Sequence, residues 1–302
     1  GRNPSPMSST QLQIAARRRI GWMPWAVFAV LAGLTVAAWW VLAAETERTA
    51  RARFDRLAER ITNTLRLRFN TAAHLLHGAA AFPEASEDVT AAEWSVYLRR
   101  AAAQLDSGVV GLGYVEPVDR ADLEAVERRV RAQGQPDFTI ERAGNNPALY
   151  VVLAIEPRER NTGVLGLDVG SGTTRKSAAE SAARNNEMAL SRRIGLDYEH
   201  RKVPGFLLFL PVYRNGAPIG TPEERLAAVQ GWVYAPIRID HLMAGIADVA
   251  GGQLDFEVFE GDGTRSETLL YDEDGHLAAG PGREITARDF STRAFHDRQT
   301  MM

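Results

Sequence analysis

The sequence contains no cysteine among its 302 residues, so neither a disulfide framework nor a thiolate metal site can form. It also lacks an excess of charge of either sign, because 35 basic residues stand against 38 acidic ones and the net charge is -3. Without a basic field, nucleic acid is not expected as a partner. Hydrophobic residues make up 45% of the chain, which is enough for a membrane anchor and a folded core.

One long segment without charge extends from Ile20 to Ala44. Its length of about 25 residues is sufficient to cross a hydrocarbon layer of about 30 Å. Tryptophans lie near both ends, where an indole suits the membrane interface. A cleaved signal peptide is the alternative, but its apolar run is usually shorter. Residues 20–44 are therefore predicted to form a retained transmembrane helix.

Arginines occur on both sides of this segment, so their number alone leaves the orientation open. The cluster Arg17 to Arg19 lies directly at one membrane edge, whereas the first charges beyond the other edge are Glu45 and Glu47. This asymmetry favours residues 1–19 as a cytoplasmic tail. The rest of the chain is then expected in the periplasm, anchored in the inner (cell) membrane.

Residues 45–80 carry apolar residues at spacings of three and four, which predicts a long amphipathic stalk helix. The apolar stripe either packs on the following domain or pairs with its copy, and we predict a parallel homodimer through this helix. His74 and His77 lie three residues apart on it, but no third ligand is near. They are interpreted as polar-face residues, and no metal site is predicted.

Beyond Phe82-Pro83, which is expected to end the stalk helix, short strands and helices alternate. A capping box from Thr90 to Glu93 predicts a helix start. The patterns predict strands at 109–115, 138–142, 149–155, 206–213 and 230–237, an apolar run at 164–168, and helices at 120–133, 174–185 and 239–246. Residues 81–246 are predicted as a membrane-distal domain and residues 247–302 as a smaller, membrane-proximal one.

The expected fold class is α+β, in which a transmembrane helix and a stalk helix carry two antiparallel sheets in tandem. In the second domain only 254–258 and 269–271 have strand character. Two strands do not close a core. We therefore expect the native chain to continue past Met302 through closing strands to a second transmembrane helix.

Two motifs suggest chemistry. The segment from Gly170 to Ser177 is similar to a phosphate loop, but Arg175 stands where a glycine is required. The segment from Leu165 to Ser171 delivers Asp168 from an apolar run into Gly-Ser and resembles the loop of an aspartic protease. That enzyme needs two such acids, so a hydrolase using Asp168 would have to be a symmetric dimer. We predict no catalytic residue and no cofactor.

The stretch from Phe82 to Ile246 resembles the CHASE domain, an extracytoplasmic sensor of histidine kinases, nucleotide cyclases and plant cytokinin receptors. The resemblance is carried, in order, by Trp94 and Tyr97, Gly111-Leu-Gly-Tyr-Val115, Leu165-Gly-Leu-Asp168, Met188-Ala-Leu-Ser191, Phe209-Leu-Pro-Val-Tyr213 and Gln230-Gly-Trp-Val233. It implies a long helix with two PAS-like sheets, of which the membrane-distal one binds ligand.

The same resemblance implies the binding residues. Asp168 corresponds to an aspartate that accepts hydrogen bonds from the ligand. Leu190 corresponds to a leucine that makes backbone contacts, and Ser191 retains the hydroxyl that follows it. The candidate lining residues are Tyr150, Phe209 and Trp232. We expect Asp168 to be the polar anchor of a small organic ligand, cytokinin-like or amine-bearing, because Ser171 and Thr173 lie closer to the next helix and are able to cap it.

The sequence thus predicts the sensing region of a membrane receptor, with a sensor histidine kinase as the output of the whole protein. A diguanylate cyclase is the alternative output. Two further hypotheses of other classes remain, the dimeric protease-like hydrolase described above and a structural adaptor without ligand.

Overall fold

The computed structural model describes residues 22–84, 91–103, 108–161, 163–198, 201–249, 254–261, 263–273, 275 and 277. The chain divides into two compact units, residues 1–56 and 57–302. The helices are α1 (Met23–Glu84), α2 (Ala91–Ala102), α3 (Leu123–Ala132), α4 (Thr173–Asn185), α5 (Pro222–Ala228), α6 (Ile239–Met243) and α7 (Ile246–Val249). The strands are β1 (Leu112–Asp119), β2 (Ala148–Glu156), β3 (Ala189–Leu190), β4 (Ile194–Tyr198), β5 (Arg201–Tyr213), β6 (Val229–Arg238), β7 (Glu257–Phe259) and β8 (Leu269–Asp272).

The first unit consists of the N-terminal part of α1. Its large apolar side chains are exposed, among them Trp25, Phe28, Leu34 and Trp40. By length and composition, α1 is the one helix among the described residues that is able to cross a membrane. The predicted apolar helix is therefore present from Met23 onward, and Ile20 and Gly21 lie outside the described residues.

The second unit is built on a six-stranded sheet with the order β2-β1-β6-β5-β3, in which β4 also pairs with β5. All of these pairings are antiparallel. Strands β7 and β8 form a separate two-stranded antiparallel sheet. The predicted α+β class, with a long apolar N-terminal helix and antiparallel sheets, is confirmed.

Both faces of the large sheet are covered by helices. One face packs against α1, α2 and α3 through residues such as Leu76, Leu98, Val130 and Val233. The other face packs against α4, whose buried residues are the four alanines Ala178, Ala179, Ala182 and Ala183. Because side chains alternate along a strand, neighbouring residues of β6 belong to opposite faces. Trp232 and Tyr234 thus lie on the α4 face, and Val233 lies on the α1 face.

The apolar stripe of the predicted stalk is largely used within its own chain. Ile61, Leu65, Ala72, Leu76 and Ala79 are buried in the core of the second unit. The stripe therefore packs on the following domain from Ile61 onward, and this part of it is not available to a second copy.

Several predicted boundaries differ from the observed ones. The helix predicted to end at Phe82-Pro83 ends at Glu84. The helix predicted at 239–246 is divided into α6 and α7 by Gly245, whose φ of 71° is unfavourable for other residues. Thr90 of the predicted capping box lies outside the described residues, although α2 follows it as expected.

The strand predicted at 138–142 is wrong. Phe138 and Ile140 are buried as a strand pattern requires. However, the N–H of Ile140 donates to the carboxylate of Glu127, and the N–H of Glu141 donates to the carbonyl of Gly166. These two N–H groups therefore donate to a side chain and to a loop carbonyl, and not to a neighbouring strand. Strands β3 and β4, which no sequence pattern indicated, pair along the outer edge of β5.

Candidate functional site

Asp168 lies where the loop after β2 returns to that strand and forms an antiparallel bridge with Val151. Its side chain is buried, with 1% exposure. Oδ1 accepts hydrogen bonds from the N–H groups of Tyr150 and Gly170, each at 2.8 Å. Asp168 also occupies the N-cap of the 3-10 turn Val169–Ser171. One carboxylate oxygen therefore caps this turn. The next helix, α4, follows Gly172 and has no side-chain cap, so the expectation that Ser171 or Thr173 caps it is wrong.

The second oxygen of Asp168 is in a different situation. Oδ2 is buried and has no hydrogen-bond partner among the residues that the structure describes. A buried acceptor without a donor is costly, and one on a carboxylate is more so. Oδ2 is therefore a buried acceptor that the described residues leave without a donor.

Aromatic side chains from several strands of the sheet lie together on the α4 face. The rings of Tyr150 and Trp232 are 4.7 Å apart between centroids, and those of Phe209 and Tyr234 are 6.1 Å apart. All four belong to the cluster on the α4 face, which also contains Val169, the residue after Asp168. The predicted site residues Tyr150, Phe209 and Trp232 thus lie on the α4 face. Asp168 lies beside the edge strand β2, where it contacts the N–H of Tyr150 and bridges to Val151, a residue of the α1 face.

Helix α4 covers the aromatic rings and is attached to them by hydrogen bonds. The indole Nε1–H of Trp232 donates to the carbonyl of Ala179 at 2.8 Å, and the Tyr213 hydroxyl donates to the carbonyl of Ala183 at 2.6 Å. The Tyr150 hydroxyl donates to Glu180 at 3.1 Å. Burial, and after it the Glu180 carboxylate, raises the pKa of Tyr150, so this hydroxyl keeps its proton.

Leu190 is placed differently from the other predicted site residues. It pairs with Leu208, whose side chain belongs to the α1 face, and its own side chain is 43% exposed. The N–H of the next residue, Ser191, donates to the carbonyl of Leu207 at 2.8 Å. Since antiparallel bonds alternate along a strand, the N–H and C=O of Leu190 point away from β5, toward the sheet edge. Its backbone groups, rather than its side chain, are available for contact.

Ser191 is buried, and its hydroxyl is engaged within the fold. Oγ accepts from the N–H of Leu207 at 2.9 Å and donates to the carbonyl of Arg192 at 2.9 Å. It therefore fixes the end of β3 against β5. His74 and His77 are both exposed on α1, and within the described ranges no three His, Asp or Glu side chains are grouped as metal ligands.

Sequence reasoning did not select Tyr234, which lies two residues after Trp232 on the same face. Its ring lies across Gly113, and a Cβ on that glycine would come within 2.4 Å of a ring carbon. The alternation of Trp232 and Tyr234 in a buried strand is a signal that could have indicated this residue, because both side chains must face the same way.

The sequence matches the CHASE domain family over residues 87–271, more than half of the chain. No curated protein sequence matches it. Among solved structures, the extracellular ligand binding receptor from Desulfohalobium retbaense is 14% identical with a TM-score of 0.48, and the similarity covers 74% of this chain and 32% of that one. This chain therefore spans about a third of the length of that receptor.

Two further structures are similar. The periplasmic sensory domain of the Campylobacter jejuni chemoreceptor Tlp1 is 13% identical with a TM-score of 0.47, covering 74% of this chain and 71% of that one. A methyl-accepting chemotaxis protein X is 14% identical with a TM-score of 0.39, covering 76% of each chain.

The matched residues define an extracellular sensor domain of the receptor type, which is not itself catalytic. The chain belongs to the CHASE domain family. One candidate membrane helix precedes the domain, as fits a membrane-anchored receptor. The hydrolase hypothesis requires two Asp168 carboxylates in contact across a dimer, whereas Asp168 is buried within its own chain.

Proposed function

We propose that this chain binds a small organic ligand between α4 and the aromatic face of the sheet, and that an N–H group of the ligand donates to Oδ2 of Asp168. The observation that carries the proposal is the burial of Oδ2 without a donor among the described residues. An amine or amidine-like N–H would satisfy it, and binding sites commonly combine apolar walls with a few such polar groups.

The aromatic walls favour a flat, partly apolar ligand. Tyr150 and Trp232 already make ring contact, and Phe209 is fully buried beside them. Aromatic rings gain from stacking or edge contacts with another ring. An aromatic amine, of which a cytokinin-like purine is one example, meets both requirements.

A signal from this site has a connected route to α1. Trp232 contacts α4 and belongs to β6, which runs directly into α6. Arg68 of α1 donates to the carbonyls of Leu242 and Ala244 at the end of α6, the latter at 3.0 Å. A shift of β6 on binding would therefore act on the helix that carries the candidate membrane span. In the whole protein we propose a histidine kinase as the output, or a diguanylate cyclase, with the sensor in the periplasm and the anchor in the inner membrane.

We also propose that the receptor is a homodimer through α1. Since Ile61 is buried in its own chain, the contact would use the opposite side of the helix, where Leu67 is 67% exposed. Disulfide crosslinking in membranes tests this, with a single cysteine placed at Leu67 in one variant and at the buried Ile61 in a control variant. Crosslinks at Leu67 and none at Ile61 are expected. Crosslinks at neither position in intact membranes would remove the dimer from the proposal.

The binding proposal is tested by two substitutions at one position. Asp168→Asn keeps an oxygen for the N–H groups of Tyr150 and Gly170 but replaces the free acceptor with a donor. We expect it to lose at least about tenfold in affinity for 2-phenylethylamine or benzyladenine, because a donor would then face a donor. Calorimetry on the full chain in detergent measures this. An affinity unchanged in Asp168→Asn would show that Oδ2 does not meet the ligand.

A further inference from the structure

Tyr234 carries a second buried polar atom for which the described residues provide no hydrogen-bond partner. Its hydroxyl oxygen is buried and makes no hydrogen bond to any residue in the described part of the chain. The side chain as a whole is 1% exposed. Burial raises the pKa of Tyr234, so the hydroxyl keeps its proton and remains a donor. A neutral donor at this position requires an acceptor, just as Oδ2 of Asp168 requires a donor.

The position of the Tyr234 ring is built into the sheet. Tyr234 is directly opposite Gly113 in the register of β1 and β6. A Cβ at Gly113 would lie 2.4 Å from one ring carbon of Tyr234 and 2.6 Å from the carbonyl of Ala154. Only glycine leaves room for the ring to lie across β1. Packing accounts for the ring, but a phenylalanine would fill the same space, so packing does not account for the hydroxyl.

A matching arrangement occurs on the opposite face. Tyr114 of β1 lies against Gly231 of β6, where a Cβ would be 2.3 Å from the Tyr114 hydroxyl. Tyr114 belongs to the face that packs against α1 and α2, and its ring stacks on Trp94 at 4.9 Å. It is therefore a tyrosine of the same strand pair that does not face the proposed site. This makes it a matched control for Tyr234.

A series of contacts joins the residues that carry the two atoms without a partner in the described part of the chain. The N–H of Tyr150 donates to Asp168, and the ring of Tyr150 contacts the ring of Trp232. Trp232 lies two residues before Tyr234 on the same face of the sheet. Two residues along a strand cover about 7 Å. A ligand that donates to Asp168 and lies beside Trp232 would therefore approach Tyr234 at its other end.

We propose that the Tyr234 hydroxyl is the second polar anchor of the site and donates to a carbonyl-type oxygen at the end of the ligand opposite its N–H group. The inference rests on the proposed function, because it assumes a ligand on the α4 face. It narrows the ligand class to flat aromatic amines that also carry a carbonyl or amide oxygen. Tyr234 then determines specificity between such molecules and simple aromatic amines.

The test uses the full chain in detergent and two probes that differ in one group, 2-phenylethylamine and 4-(2-aminoethyl)benzamide. The second probe adds the carbonyl oxygen that Tyr234 is expected to bind. Calorimetry measures both affinities for the unaltered protein, for Tyr234→Phe and for the control Tyr114→Phe. We expect the benzamide to be preferred about tenfold by the unaltered protein and by Tyr114→Phe, and the preference to vanish in Tyr234→Phe.

Equal affinities of the two probes for the unaltered protein, or a preference that persists in Tyr234→Phe, would overturn the role of Tyr234 while leaving that of Asp168 intact. Failure of both probes to bind the unaltered protein would instead overturn the proposed function and this inference with it. Thermal unfolding without a probe is an independent measurement. Tyr234→Phe is expected to unfold at the same or a higher temperature, and a clearly lower temperature would show that the fold already satisfies the hydroxyl.

Discussion

The indole N–H of Trp232 donates to the main-chain carbonyl of Ala179 at 2.8 Å, although that carbonyl lies in the middle of α4. The contact is buried and joins the central strand β6 to the helix that covers the site. With the hydroxyl groups of Tyr213 and Tyr150, which donate to Ala183 and Glu180, it attaches α4 to the sheet in addition to the alanine contacts.

Trp232→Phe keeps an aromatic ring but removes this donor. We expect a loss of about 1 to 3 kcal/mol in the free energy of unfolding, from the missing hydrogen bond and the smaller ring. Amide hydrogens of α4 should also exchange faster than those of α3, because only α4 loses an attachment. Chemical denaturation and hydrogen exchange measure the two effects. Equal acceleration in both helices would mean that the substitution acts on global stability alone.

The two roles of Asp168 separate in the unliganded protein. Asp168→Ala removes the acceptor for the N–H groups of Tyr150 and Gly170 and should cost about 2 kcal/mol or more. Asp168→Asn retains that acceptor and should cost clearly less. Denaturation curves without ligand compare the two. If both variants lose the same stability, the charge of the carboxylate, rather than its capping oxygen, supports the fold.

Gly113→Ala tests the close approach of β1 and β6. The added methyl group would meet both the Tyr234 ring and the Ala154 carbonyl, so we expect destabilisation of about 1 to 3 kcal/mol. Gly163→Ala is the control, since a Cβ there meets no other atom within 4 Å. In a Tyr234→Ala background, Gly113→Ala should cost less than in the unaltered protein, but it should still cost something because the carbonyl contact remains. Denaturant midpoints of the single and double variants measure the coupling.

Alkaline pH should weaken the sensor domain. Burial raises the pKa of Tyr114 and Tyr234 in the folded chain, whereas an unfolded tyrosine titrates near about pH 10. Below that value both states hold the proton and stability is unaffected. Above it the unfolded chain ionises first, so the free energy of unfolding falls as the pH rises. Denaturant midpoints between about pH 9 and about pH 11 should fall less steeply in Tyr234→Phe.

The sequence predicted the features that depend on local periodicity. The spacing of apolar residues indicated α1, and short apolar runs indicated β5 and β6. The strand expected at 138–142 failed because a local pattern does not reveal that Glu127 takes the N–H of Ile140. Burial there was correctly expected, but the hydrogen-bond partner is set by a residue 13 positions away.

The ligand-binding role of the site residues stays a prediction, but their positions can be compared with the sequence. Tyr150, Phe209 and Trp232 lie on one face of the sheet, and Asp168 lies beside Tyr150 at the edge of β2. Oδ1 of Asp168 accepts hydrogen bonds and Oδ2 does not, and this difference depends on the position of the Tyr150 N–H against Oδ1. The pairing of Gly113 with Tyr234 joins residues 121 positions apart in the chain. No spacing rule within one strand predicts either contact.

The alanine face of α4 has a consequence for how the domain can respond. The helix packs on the sheet through alanines, which have no side-chain rotamers to fix: Ala178, Ala179, Ala182 and Ala183. A helix that interlocks with its neighbour through long side chains must rearrange them before it moves. Helix α4 can therefore move over the sheet as a rigid element, in a small shear motion. The contacts that such a motion would break and re-form include the hydrogen bonds to the carbonyls of Ala179 and Ala183.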